Sequence, residues 1–204
     1  MKKVMFAASS GGHLTELLKL EELFNEYDYV LVTEKTEVTD KLKDKYKMEF
    51  VKYGPCRNKI KYVLTIIQNL FLAIKLVLKY KPETIVSTGA QVGGFFCYVG
   101  KFFGAKVVYI ETMAKIKELS GTGNNVYKIA DKFYVQWEGL AEKYGEHIND
   151  HQIEICEELE KEGYILYYKD GKDKLDDLIE KVRKKEFKKY DSNYNYLDIL
   201  RKEI

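Results

Sequence analysis

The 204-residue sequence predicts an α/β fold, a Rossmann-like, doubly wound and mostly parallel sheet followed by a short α-rich C-terminal extension. Three observations predict it. Short apolar runs alternate with segments of helical periodicity from the N-terminus to Trp137. Two of those runs end in glycine-bearing loops, "SSGGH" and "STGAQVGG". No internal repeat or low-complexity linker breaks the alternation.

The elements follow in order. "KKVMFAAS" is a short apolar run closed by Ser-Gly and is expected to be a buried strand. "LTELLKLEELF" places Leu14, Leu17, Leu18 and Leu20 in a stripe that continues to Leu23 and Phe24, a helix. "YDYVLVT" (27–33) is a second strand, "EVTDKLKDKY" a polar helix, and "MEFVKYG" (48–54) a third strand. A long apolar helix covers about 59–80. "PETIVSTG" (82–89) is a strand ending in glycine, "QVGGFFCYVGKFFG" (91–104) a helix and "AKVVYIE" (105–111) a strand. "NVYKIAD" (125–131) is expected to be a short helix and "KFYVQW" (132–137) a last strand. Beyond Trp137 an acidic helix (146–164), a short strand (165–168), a helix (173–185) and a terminal helix are expected.

Composition sets limits. At 46% hydrophobic and 32% charged, with 17 Tyr, 10 Phe and 2 Pro, the chain has the material for a core and is not of disordered type. The net charge of +2 gives no reason to expect nucleic-acid binding. The charge is uneven, however. Residues 1–141 carry 21 Lys/Arg against 15 Asp/Glu (+6), and residues 142–204 carry 13 against 17 (−4), so the two parts are expected to face different neighbours. Cys56, Cys97 and Cys156 are scattered and odd in number, which fits a reducing compartment and neither a disulfide framework nor a zinc site. No basic and apolar leader precedes the first strand, so no signal peptide is expected.

The candidate chemistry sits at strand ends, where open α/β sheets bind ligands. In Ser9–Thr15, Gly11 and Gly12 let the backbone approach a ligand, the helix start offers N–H groups to phosphate, and His13 is a base or a donor. The alternative is a tight strand-to-helix turn with an incidental histidine. "STGAQVGG" repeats the pattern with Gly89, Gly93 and Gly94, or serves close helix–sheet packing. Glu111, ending an apolar strand, either faces the same crevice or caps a helix. The stretch 60–80 has a longest charge-free run of 13 residues, Tyr62–Ile74, short for a bilayer span. With lysines at 59, 61, 75, 79 and 81 it is either a helix lying on an anionic membrane or a buried crossover helix. "HINDHQ" is either a capped helix start or a cluster for sugar hydroxyls. A metal pair of His147 and His151 lacks a second shell.

Taken together, "SGGHLTELLKL", "IVSTGAQVGGFFCYVGKFFGAKVVYIETMAK" and "LSGTGNNVYKIADKFYVQWEGL" resemble the acceptor-binding subunit of two-component glycosyltransferases. These are the PssD-type exopolysaccharide or capsule proteins of bacteria. Their eukaryotic counterpart is the anchor subunit of the UDP-N-acetylglucosamine transferase that extends dolichyl-diphospho-N-acetylglucosamine. The family is similar in fold to the N-terminal half of MurG, a GT-B enzyme. The stretch 142–204 resembles the C-terminal end of the PssE-type catalytic partner. The resemblance therefore implies a Rossmann-like acceptor- and membrane-binding domain over 1–140 and a partial donor-domain-like segment over 141–204.

It also implies roles. His13 and Glu111 would be catalytic, and Ser10, Gly11, Gly12, Thr15, Gly89, Gly93 and Lys115 would bind the acceptor diphosphate. Asp150, His151 and Gln152 would belong to the donor-sugar motif. "ETMAK" stands where eukaryotic relatives tend toward an ESFAR-like string, so Lys115 keeps the charge without Arg's two-pronged geometry. The implied reaction moves a hexose (Gal or GlcNAc) from a UDP-sugar to a diphospholipid-linked sugar at the cytosolic membrane face. The UDP-sugar is substrate, with no cofactor and no metal. A PssE-type subunit is the implied partner, and attachment to the inner face of the membrane would be peripheral, through the 60–80 helix. The rival expectations are a non-catalytic subunit that anchors and activates such a partner, and a nucleotide-binding module resting on the Rossmann pattern alone.

Overall fold

The structure, a computed structural model, describes residues 1–54, 59–144 and 197–204. Six strands form one fully parallel sheet: β1 (Lys3–Ala8), β2 (Asp28–Glu34), β3 (Met48–Val51), β4 (Thr84–Gly89), β5 (Lys106–Ile110) and β6 (Lys132–Tyr134), in the order β3-β2-β1-β4-β5-β6. This is the doubly wound Rossmann order, with its reversal between β1 and β4.

The strands are apolar on both faces because both faces are covered. Met5, Ala7, Val30, Val32, Ile85, Val107, Tyr109 and Phe133 point to one side. There they meet α4 (Lys59–Tyr80), α5 (Gln91–Phe102), α6 (Gly121–Val126) and α7 (Glu138–Tyr144). Val4, Phe6, Ala8, Leu31, Val86 and Val108 point to the other. That side is met by α1 (Gly12–Leu18), α2 (Glu21–Phe24) and the last helix, α8 (Leu197–Glu203). α8 thus packs into the same core as the sheet. Leu197, Leu200 and Ile204 are buried in it, Glu203 pairs with Lys106 and Lys132, and Arg201 grips Glu26 with two nitrogens.

Several boundaries differ from expectation for local reasons. The helix expected over 14–24 breaks into α1 and α2 around Lys19–Leu20. The polar helix after β2 shrinks to α3 (Glu37–Asp40), capped reciprocally by Thr36 and Thr39, and then a 3-10 turn at Lys41–Asp44. The helix expected at 125–131 starts at Gly121 instead, because the Ser120 side chain accepts from Gly123 N–H and starts it early. Glu138–Tyr144 forms a helix that sequence patterning did not anticipate. The elements expected over 146–185, together with Asp150, His151 and Gln152, lie outside the described residues.

α4 also corrects an expectation. Lys61–Tyr80 is long and apolar enough to cross a membrane by length and composition, despite its short charge-free run. Its C-terminal half is nonetheless built into the domain, with Ala73, Leu76 and Val77 buried. Asn69 is held by two bonds to the backbone of Lys52 at the end of β3.

Candidate functional site at the strand reversal

The loops after β1 and β4 meet where the sheet reverses. Ser9 N–H donates to the Gly89 carbonyl at 2.8 Å, and Val92 N–H donates to Ser9 Oγ at 3.1 Å. Ser10 N–H donates to Glu34, the carboxylate ending β2. Gly11 has φ +91°, and a side chain there or at Gly12 would meet nothing within 4 Å, so this loop faces open space. Gly89 is the reverse case. It has φ +95°, and a Cβ would stand 2.8 Å from the Tyr109 hydroxyl and 3.1 Å from His13 Nδ1.

His13 is clamped at this junction. Its Nδ1 lies 2.7 Å from the Thr88 carbonyl, and the Thr88 hydroxyl donates to the His13 carbonyl at 2.7 Å. A carbonyl only accepts, so Nδ1 carries the hydrogen, and in the neutral ring the lone pair is on Nε2. A half-buried imidazole held this way has the tautomer and fixed orientation of a general base. Thr15 follows it, exposed, with its hydroxyl on the Gly11 carbonyl.

Glu111 ends β5 beside this junction, but its carboxylate turns inward. It is 0% exposed. One oxygen accepts from Thr112 N–H, and the other from the N–H and hydroxyl of Ser120. Glu111 does not itself cap a helix: it holds Ser120, and Ser120 caps α6. Gly93 likewise faces the sheet rather than the crevice, because a Cβ there would fall 2.1 Å from Ser87 Oγ and 3.2 Å from the Ala7 carbonyl. Lys115 is exposed on the loop 112–119.

Sequence reasoning missed Glu16, Glu34, Thr88, Tyr109 and Thr112 at this place. Two of them had a signal. Glu16 stands three residues after His13 and so shares its helix face, and Glu34 ends a strand as Glu111 does. Tyr109 had none, since it is indistinguishable from a core residue of β5. Burial pushes its phenol well above the ordinary range.

An apolar surface adjoins the crevice. Gln91, the first residue of α5, donates to the Tyr62 hydroxyl on α4 at 2.8 Å. This places the N-terminal half of α4 beside the β4 loop. From Lys61 to Gln68 no α4 residue is buried, and Val63, Leu64, Ile67 and, one turn on, Phe71 (68% exposed) face outward. Among the described residues no group of three His, Cys, Asp or Glu side chains is arranged to hold a metal.

With this geometry in view, the sequence profile of the family described as "Oligosaccharide biosynthesis protein Alg14 like" matches residues 4–152. The chain belongs to the Alg14-like family. It is similar to the UDP-N-acetylglucosamine transferase subunit ALG14 of Yarrowia lipolytica, 29% identical over 170 residues, which are 70% of this chain and 76% of that protein. In fold it is similar to MurG of Acinetobacter baumannii (TM-score 0.55, 18% identity, 66% of this chain and 41% of MurG). It is also similar to the UDP-N-acetylglucosamine 2-epimerase of Rickettsia bellii (TM-score 0.55, 14% identity, 79% of this chain and 48% of the epimerase). The chain therefore spans less than half the length of these two structural neighbours. The Alg14-like crevice lies at the place where doubly wound sheets take their ligands.

Proposed function

We propose that this chain is the acceptor-side subunit of a UDP-N-acetylglucosamine transferase of lipid-linked oligosaccharide synthesis, working at the cytosolic face of a membrane. One observation carries the reading. The Gln91–Tyr62 bond sets the exposed apolar half of α4 against the crevice that holds His13. A diphosphate in the crevice would have its lipid tail along α4, and its sugar hydroxyl within reach of the His13 side of the site. Gly11, Gly12 and the flanking Ser10 and Thr15 would line the phosphates, and Lys115 would offset their charge. His13 Nε2 would take the hydroxyl proton as that oxygen attacks the anomeric carbon and UDP departs. Glu111 would position the loop rather than move a proton. The UDP-sugar is substrate and would be presented by a separate PssE-type subunit.

The test is transfer from UDP-N-acetylglucosamine and UDP-galactose to short-chain diphospholipid sugars, with and without such a partner. Turnover that needs the partner and falls about 100-fold or more in His13→Ala is expected. Turnover unaffected by His13→Ala would overturn the base assignment.

A second reading, a non-catalytic subunit that anchors and activates the partner, is favoured by the sealed Glu111 carboxylate. Partner-dependent turnover that survives His13→Ala but is lost when α4 no longer binds vesicles would select it.

A further inference from the structure

The β5–α6 loop, 112–119, is tied down from two sides by two carboxylates. From behind, Glu111 holds Thr112 N–H and Ser120. From the crevice side the holder is Glu16. Its Oε1 accepts from the Thr112 hydroxyl at 3.0 Å and from Met113 N–H at 3.3 Å. Glu16 lies on α1, one turn beyond His13, so one short helix carries both the clamped imidazole and the carboxylate that grips the loop. The other oxygen, Oε2, is sealed from solvent and has no donor among the described residues. Holding a carboxylate there costs desolvation that an ordinary surface glutamate avoids. The loop so held carries exposed Met113, Lys115, Ile116 and Lys117, with Trp137 Nε1–H bonded to the Met113 carbonyl.

We infer that Glu16 is a positioning residue of this site: its carboxylate latches the loop 112–119 onto α1 and so sets the distance between that loop and His13. The role in transfer rests on the function proposed above; the latch itself does not.

Hydrogen–deuterium exchange on the full chain tests the latch without any activity. In Glu16→Ala, amides of 112–117 are expected to exchange about tenfold faster or more, with β1 and β4 unchanged. Glu16→Gln keeps an amide oxygen for both bonds and is expected to stay near wild type. Thr112→Val, which leaves α1 untouched, should give an intermediate increase confined to the loop. Unchanged loop exchange in Glu16→Ala, or an increase that includes β1 and β4, would overturn the latch. In the partner-supplemented transferase assay, Glu16→Ala is expected to raise the acceptor KM about tenfold while changing kcat less, and Glu16→Gln to restore it. A loosened loop with unaltered KM and kcat would overturn its positioning role. If the wild type shows no transfer at all, the proposed function fails while the exchange result still decides the latch.

Discussion

At Gly123 the structure leaves no room for a side chain, since a Cβ would lie 1.8 Å from Glu111 Oε2. That oxygen cannot retreat, because Ser120 holds it from two atoms. Gly123→Ala is therefore expected to destabilise by about 1–3 kcal/mol, the usual cost of overpacking. For a chain of this size that lowers Tm by about 2–4 °C per kcal/mol. Gly121→Ala, two residues earlier and facing open space, should leave Tm nearly unchanged. Thermal unfolding of the pair separates a packed glycine from an incidental one. Cys97 is another residue enclosed by its neighbours. Its thiol is buried beside Ser87, and burial pushes it up to about 12, so no reactive role follows from its presence.

α4 is one helix with two physical characters. Its C-terminal half is an ordinary core element, carrying Ala73, Leu76 and Val77 into the sheet layer. Its N-terminal half has the apolar composition of a core, yet no described residue covers Val63, Leu64, Ile67 or Phe71. Such a surface beside lysines suits an anionic lipid interface. Ile67→Glu and Phe71→Glu are expected to weaken flotation with anionic vesicles about tenfold or more, from lost apolar burial worth about 1.5–3 kcal/mol per side chain. Because both positions are exposed, Tm should move by no more than about 2 °C. Full vesicle binding by the double variant would remove α4 from the membrane.

On the scale of the whole molecule, one face of the sheet is shared by α1, α2 and α8. α1 packs against β1 and β4, and α2 reaches β1 and β2 through Phe24, whose ring meets those of Phe6 and Tyr29. α8 docks near the amino ends of β4, β5 and β6, where Thr84 donates to the Ile204 carbonyl and Glu203 meets Lys106 and Lys132. Leu200→Ala is expected to cost about 2–4 kcal/mol, as a buried leucine does. Arg201→Ala, breaking a half-exposed pair with Glu26, should cost about 1 kcal/mol or less. Denaturant unfolding monitored at the β-sheet gives both values. An effect of Leu200→Ala below that of Arg201→Ala would mean that α8 is an appendage rather than part of the core.

The layered α/β architecture was legible in the sequence, because strand and helix periods are local properties of the chain. The same holds for the glycine loops after the strands now called β1 and β4, for His13 and for the apolar stretch of α4. Helix ends were less legible, since a cap such as Ser120 competes with periodicity over a single turn. Which way side chains at strand ends point was not legible in the sequence. Glu111 and Glu34 have the same local sequence character as catalytic carboxylates. Glu34 turns toward the Ser10 N–H of the β1 loop, and Glu111 turns inward onto Thr112 and Ser120 of the loop that follows it. Tertiary contacts likewise place α8 on the sheet and bring Glu16 to Thr112. For Glu34, α8 and Glu16 the reason is shared: residues far apart in the chain become neighbours only when the parallel strands are ordered 3-2-1-4-5-6, and that order sets which loops share the crevice.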